Sequence, residues 1–369
     1  MKISVPTETA PRELRVALPP DSVARLIKQQ KVEVVVQQGA GLRAGFRDDA
    51  YTAVGATIVA NAAAALGGSN VVAKVQPPTA SEIAQIDEGA TVISLMRPGQ
   101  TGDIVQALAQ RRVSSLALEL VPRITRAQSM DVLSSQSTVS GYKAVLIGAS
   151  ALPKFLPMLT TAAGNISPAK VFVIGAGVAG LQAIATARRL GGVVSGFDVR
   201  PAAREQVLSL GATFVASDVV TDSAQTAGGY ARAQTDDEQA KTMAALANHI
   251  KDQDLVVTTA AIPGRPAPKL ITSEMVQSMR AGSVIVDLAA ETGGNCVLCQ
   301  PGETVTVHDV TILGPLNVPS TVPFHASQMF GRNIFELLKH LVKDGALQLD
   351  ASDEITGAML MAHDGKVIR

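Results

Sequence analysis

One ten-residue stretch limits the possible folds more than any other: Val171-Phe172-Val173-Ile174-Gly175-Ala176-Gly177-Val178-Ala179-Gly180. Four apolar residues read as a buried strand. The G-x-G-x-x-G spacing then asks for a turn too tight for a Cβ at Gly175 and a backbone that a pyrophosphate can approach at Gly177. At Gly180 it asks for a helix pressed against its own strand. The N-terminus of that helix offers unpaired N–H groups and the positive end of a dipole to a phosphate. The next strand ends at Phe197-Asp198, 18 residues past Gly180. An acid at that point accepts hydrogen bonds from an adenosine ribose and repels a 2′-phosphate, which predicts NAD(H) over NADP(H). Arg200 works in the other direction, because a guanidinium tolerates that phosphate.

The same alternation of short Val/Ile runs and helical patterns covers the rest of the chain. Lys2–Val5, Val32–Val36, Val71–Val75, Val92–Leu95 and Ser115–Leu120 read as strands. Asp21–Gln30, with Asp21 as N-cap, and Thr101–Arg112 read as helices. The pattern restarts with a helix at Ser137–Leu152, followed by strand Val171–Ile174, helix Val178–Leu190, strand Val193–Phe197 and helix Ala202–Leu210. Further strands are predicted at Thr213–Val215, Leu255–Thr258, Val284–Asp287 and Val310–Leu313. A last helix, about Ser327–Val342, is expected to have no strand after it and to return to the first domain. Strand–helix–strand at this spacing means parallel sheets with helices on both faces. The expected fold is α/β, with two doubly wound, Rossmann-like parallel-sheet domains and a cleft between them. Residues 1–135 with 321–369 form one domain, and residues 136–320 form the nucleotide-binding one.

Composition narrows the function. Lys+Arg 32 balances Asp+Glu 32, so the chain offers no general basic field and no nucleic-acid partner is expected. Hydrophobic residues are 47% and charged residues 17%, which excludes disorder. No apolar run reaches the roughly 18 residues of a spanning helix, and Met1–Val5 lacks a signal core. Two cysteines are too few for a disulfide framework. These features predict a cytoplasmic protein. Cys296 and Cys299 form a C-x-x-C without further ligands at metal-site spacing, so neither a metal nor a redox role is expected.

After the Ser115–Leu120 run comes Pro122-Arg123-Ile124-Thr125-Arg126-Ala127-Gln128-Ser129-Met130-Asp131, rich in guanidinium, amide, carboxylate and hydroxyl groups. This stretch resembles the "RQD" loop in the NAD(H)-binding domain of proton-translocating nicotinamide nucleotide transhydrogenase. Gly175–Ala187, Thr226–Ala231 and Gly293-Gly294-Asn295-Cys296 are similar too, and the resemblance covers essentially the whole chain. It implies that Arg123, Gln128, Asp131 and Ser134 hold the nicotinamide end as the catalytic set, with Gln128 also reaching the partner nucleotide. Ile124, Thr125, Ser129 and Met130 would contact the cofactor, and Arg126 would be structural. Val178 would line the dinucleotide turn, and Asp198, Val199 and Arg200 would sit at the adenosine. Gly229 and Tyr230 would belong to a loop that closes over the nucleotide. Gln239 and Ala261 would be further contacts, Ala261 standing where the family often has a larger apolar residue.

The resemblance further implies a homodimer on the cytoplasmic face of the bacterial inner membrane, partnered by an NADP(H)-binding subunit and a separate transmembrane subunit. Because the chain stops at Arg369 without a spanning segment, the membrane portion is expected to be separately encoded. The family is related to alanine dehydrogenase, which is the rival reading. Arg15 and Lys74 match positions that hold its oxo-acid substrate. Its chemistry needs a positioned acid/base, yet Ser94-Leu95-Met96-Arg97-Pro98 contains no His where alanine dehydrogenases have one. A third reading is a nucleotide-sensing module without chemistry of its own.

Overall fold

The computed structural model describes residues 1–216, 235–261 and 265–369. These form two compact units, residues 1–136 with 319–369, and residues 137–318. The beginning of the chain supplies β1 (Lys2–Val5), α1 (Pro20–Arg25), β2 (Glu33–Gln37), α2 (Asp48–Ala53), β3 (Thr57–Val59), α3 (Ala62–Leu66) and β4 (Val71–Ala73). It continues with α4 (Ala80–Ile83), β5 (Thr91–Ser94), α5 (Gly102–Gln110) and β6 (Ser114–Ala117). Helix α6 (Val132–Ala151) contains the boundary between the units.

The second unit contains a hairpin of β7 (Leu159–Thr161) and β8 (Gly164–Ile166), then β9 (Lys170–Ile174), α7 (Val178–Arg189), β10 (Val193–Phe197), α8 (Pro201–Ser209) and β11 (Thr213–Phe214). It continues with α9 (Asp236–Ile250), β12 (Leu255–Thr258), α10 (Ser273–Ser278), β13 (Val284–Asp287), β14 (Thr304–Val307) and β15 (Val310–Leu313). After the chain re-enters the first unit come α11 (Pro323–Leu341), β16 (Val342–Lys343), β17 (Ala346–Leu347), α12 (Glu354–Met359), β18 (Leu360–His363) and β19 (Lys366–Val367).

The first unit's sheet has the order β19-β18-β6-β5-β4-β1-β2-β3, and the second unit's has β11-β10-β9-β12-β13-β15-β14. All pairings in these two sheets are parallel except β18 with β6 and β19, and β14 with β15. The alternation of side chains across a strand divides each core in two. In the second unit Val171, Val173, Leu255 and Val257 face one layer, while Phe172, Ile174 and Val256 face the other. In the second sheet the order in which successive strands are added reverses between the parallel neighbours β9 and β12, since β10 and β11 lie to one side and β13 and β15 to the other. The carboxyl ends of β9 and β12 therefore flank a topological switch point, where such sheets bind ligands.

Four expectations need correction. The last long helix is followed by strands: β18 pairs antiparallel with β6 and extends the first sheet. Leu360-Met361-Ala362-His363 contains no β-branched residue, so nothing local marks it as a strand. Asp21 is not an N-cap; Pro19 holds that position, Pro20 opens the helix, and Asp21 lies in its first turn. Helix α6 starts at Val132 rather than Ser137, because Asp131 accepts the Ser134 backbone N–H at 3.0 Å and caps it. The strand read at Ser115–Leu120 ends at Ala117 and passes into a 3-10 turn at Leu118–Leu120.

Helix α6 packs closely on α7. A Cβ added to Gly141 would lie 2.0 Å from the Ala179 carbonyl oxygen. Backbone cannot yield as a flexible side chain can. We expect Gly141→Ala to destabilise the second unit by about 1–3 kcal/mol, read as a lower urea midpoint. An unchanged midpoint would contradict the close approach.

Candidate nucleotide site

The three glycines of the turn after β9 do different things. Gly175 has φ +95, and a Cβ there would lie 2.7 Å from Thr259 Oγ1. That hydroxyl donates to the Gly175 carbonyl at 3.0 Å and ties the turn to the residue just after β12. A Cβ on Gly180 would lie 1.8 Å from the Gly175 carbonyl oxygen, so only glycine lets α7 start this close to its strand. At Gly177, by contrast, the nearest atom to an added Cβ is Arg200 Nη2 at 3.9 Å. The fold does not need glycine there, and the open space leaves the backbone accessible to a ligand. Gly177 is also the N-cap of the twelve-residue α7 and supplies no side-chain cap, so the first N–H groups of the helix remain available. Val178, beside them, is exposed. These residues fit a dinucleotide pyrophosphate.

Asp198 is buried and braces the same turn. It accepts the Ala176 backbone N–H at 2.8 Å. It also accepts from Arg200 Nε at 2.9 Å and Nη2 at 2.8 Å. The guanidinium therefore offsets the carboxylate's charge and stands next to Gly177, within reach of a phosphate-bearing ligand. Val199 is half-buried against the second core layer. Ala261 is exposed just past β12, and Gln239 is exposed in the first turn of α9. Gly229 and Tyr230 lie outside the described residues.

Residues the sequence did not single out also build this end of the sheet. Thr259 is one. Asn295 is another: it is fully buried, its Nδ2 donates to the Ala260 and Pro268 carbonyls at 2.8 Å each, and its Oδ1 accepts the Ala260 N–H at 3.1 Å. Asp287 accepts the Cys296 N–H at 2.8 Å. Only the Gly293-Gly294-Asn295-Cys296 motif gave any signal of them. Burial, with help from the Asp287 charge, pushes the Cys299 thiol up to about 12, far from a reactive thiolate.

The Arg/Gln/Asp loop belongs to the first unit. Residues Thr125–Met130 form a 3-10 turn in which Ala127 and Met130 are buried in the core. Ile124 is half-buried against the same core. Arg123, Thr125, Arg126, Gln128 and Ser129 lie at least partly open to solvent, which leaves the polar side chains on the outside of an apolar anchor. Asp131 and Ser134 bond each other at the start of α6, so both have a structural task there. Arg126 pairs with Asp353 at 3.3 Å and Glu354 at 3.2 Å.

Arg15 and Lys74 are buried in the same unit. Arg15 pairs with Glu13 at 2.7 Å and donates to Gln136 at 2.8 Å. Lys74 pairs with Glu82 at 2.7 Å and Glu8 at 3.5 Å. Burial pushes the Glu8 carboxyl up, since Lys74 compensates only in part. Burial also opposes ionisation of Glu13, but its bonds to Arg15 and the Arg15 charge outweigh this and hold Glu13 below its ordinary 4.5.

The alanine dehydrogenase/PNT N-terminal domain matches residues 4–140, and the corresponding C-terminal domain matches residues 144–369. The chain belongs to the alanine dehydrogenase/PNT family. Within it, the chain is 47% identical over 376 residues to an NAD(P) transhydrogenase alpha subunit of Rhodospirillum rubrum, covering 100% of this chain and 98% of that one. The crystal structure of a transhydrogenase from Sinorhizobium meliloti matches with TM-score 0.91 and 45% identity, over 100% of both chains. The alanine dehydrogenase of Halomonas elongata is more distant, 30% identical over 100% of this chain and 94% of that one. No helix among the described residues is long and apolar enough to cross a membrane.

Two outcomes follow. Gly177→Ala should fold with unchanged stability yet lose about tenfold or more in NADH affinity, roughly 1.4 kcal/mol, whereas Gly180→Ala should fail to fold; equal behaviour of the two would refute the division of roles. The depressed Glu13 carboxyl contributes stability above its ordinary 4.5 that is lost as pH falls through the lower folded value. Glu13→Gln should therefore flatten that part of the acid-unfolding curve, and a curve of unchanged slope would contradict the ion pair.

Proposed function

We propose that this chain is the NAD(H)-binding alpha subunit of a proton-translocating NAD(P) transhydrogenase, an oxidoreductase that passes hydride directly from NADH to NADP+ held on a separate subunit. The observation that carries the reading is the loop at residues 123–134, whose buried Ala127 and Met130 leave Arg123 and Gln128 projecting from a short, anchored turn. The relatives named as transhydrogenases support it, since the identity runs over essentially all of both chains.

NADH, when bound, supplies the hydride, and no separate proton leaves with it. The protein's task is then orientation rather than acid–base exchange. The uncapped start of α7 and bare Gly177 bind the pyrophosphate, and Asp198 with Arg200 meets the adenosine end alongside Val199. Arg123, Gln128, Asp131 and Ser134 hold the nicotinamide end, with Ile124, Thr125, Ser129 and Met130 shaping its surroundings. Gln128 turns toward the second coenzyme. Gly229 and Tyr230 close over the nucleotide, with Gln239 and Ala261 at its margin. A homodimer would act at the cytoplasmic face of the membrane, with proton movement in a separate membrane subunit.

The alternative, an alanine dehydrogenase-like enzyme, is favoured by Arg15 and Lys74. Both, however, already hold carboxylate partners. The segment that would supply the acid/base has no His, and its Met96 and Arg97 backbone N–H groups donate to Glu119.

Mixed with an NADP(H)-binding domain of this family, the chain should catalyse cyclic hydride exchange. Gln128→Asn should slow that exchange about tenfold to a hundredfold with NADH affinity nearly intact, because a small misplacement costs rate more than binding. Equal losses in rate and affinity would overturn the orienting role. Turnover with pyruvate, ammonia and NADH at ordinary enzyme rates would replace this reading with the alternative.

A further inference from the structure

The C-terminal segment of the chain grips the loop from beneath. Asn333, about midway along α11 and 8% exposed, donates from Nδ2 to the Ser129 carbonyl at 2.8 Å. Its Oδ1 is buried with no hydrogen-bond partner among the described residues. A buried amide with half its capacity unused is costly to keep, and an apolar side chain of similar size would avoid that cost. The donor to Ser129 is therefore what the position supplies. Arg126 makes a second tie, to Asp353 and Glu354 at the start of α12. Asp353 is itself fixed: it caps α12 through the Ile355 and Thr356 N–H groups at 3.0 and 2.9 Å and accepts from His340 near the end of α11 at 3.0 Å.

A six-residue 3-10 turn has poor internal hydrogen-bond geometry, so its shape depends on what it is tied to. Ser129 is the neighbour of Gln128. Fixing the Ser129 carbonyl fixes the Ser129–Met130 peptide, one residue past Gln128, and so restrains the backbone from which the Gln128 side chain projects. The Arg126 pairs are half-exposed and contribute less; the Asn333 bond is more enclosed, its donor side chain being buried, and it holds the turn.

We propose that Asn333 is a positioning residue for hydride transfer, acting through the Ser129 carbonyl on Gln128, with the Arg126–Asp353 tie as a secondary restraint. This rests on the reading of Gln128 given above.

Asn333→Asp keeps the shape but, when ionised, cannot donate; protonated, it can. Burial raises such a carboxyl's pKa. Asn333→Asp should therefore lower hydride exchange about tenfold or more at alkaline pH, with NADH affinity close to that of the unaltered chain, and exchange should recover as pH falls. Asn333→Leu should lose as much and not recover. In the ligand-free variants, amide hydrogen exchange in residues 122–131 should quicken while that of the β-sheet stays unchanged.

A parallel loss of rate and NADH affinity, or no pH recovery in Asn333→Asp, would overturn the proposal. If Asn333→Asp does not fold, Asn333→Leu still decides: faster loop amide exchange and about tenfold slower transfer with NADH affinity kept are expected, and no change in either refutes the proposal. Gln128→Asn run alongside separates the two ideas. If it fails to divide rate from affinity, the underlying reading falls and this proposal with it. If it succeeds while Asn333→Asp does nothing, only this proposal falls.

Discussion

The first unit depends on a long-range piece of packing: α11, residues Pro323–Leu341, seated against a sheet whose first strand is at residue 2. A parallel sheet is apolar on both faces and needs both covered. Phe330, Ile334, Leu337 and Leu338 of α11 share one core layer with Ile3, Val5, Val34, Val36 and Val71. Gly331 admits α1 so closely that an added Cβ would lie 2.4 Å from Pro19 Cδ. Each buried aliphatic or aromatic side chain in such a layer contributes about 1.5–3 kcal/mol. The same helix supplies Asn333 under the loop and His340 beside Asp353. The core and the loop at residues 123–134 therefore share one support.

In the second unit, glycine serves two ends within six residues. At Gly175 and Gly180 backbone and side-chain oxygens occupy the space of a Cβ, so the residue is required by packing. At Gly177 the space is open, so packing does not require the residue. Asp198 likewise has two duties. Its bonds to Ala176 and Arg200 shape the turn whether or not a ribose is present. Charge at this site belongs to the Asp198–Arg200 pair, so neither residue acts there as an isolated charge.

Elements with strong local patterns were legible. β9, β10, β12, β13 and β15 are apolar runs rich in Val or Ile, and the structure contains each of them. The doubly wound fold and the family were legible too, the first from strand–helix alternation and the second from the loop and glycine motifs. The β18 strand was not, because its residues carry no strand preference and its pairing with β6 joins positions far apart in the chain, as with Leu360 and Leu116. The start of α6 was missed because Asp131 looked like a loop residue; its capping role depends on where its side chain points. Thr259 was passed over, and Asn295 was noted only as part of a motif, for a similar reason. Each is a common polar residue whose importance comes from a carbonyl brought next to it by the fold.

What the sequence determined by itself is the set of local choices: which runs become strands, where a helix begins on a bare phosphate turn, and which loop carries guanidinium, amide and carboxylate groups together. Those follow from side-chain periodicity and backbone sterics acting over a few residues. What only the tertiary structure decided is which of those groups are already engaged. Arg126, Arg15 and Lys74 look alike as isolated cations, yet the first ties a loop to the C-terminal segment while the others are closed inside carboxylate partners. The energy of a charge or an amide depends on its burial and its partner. Both are set by residues far away in the chain.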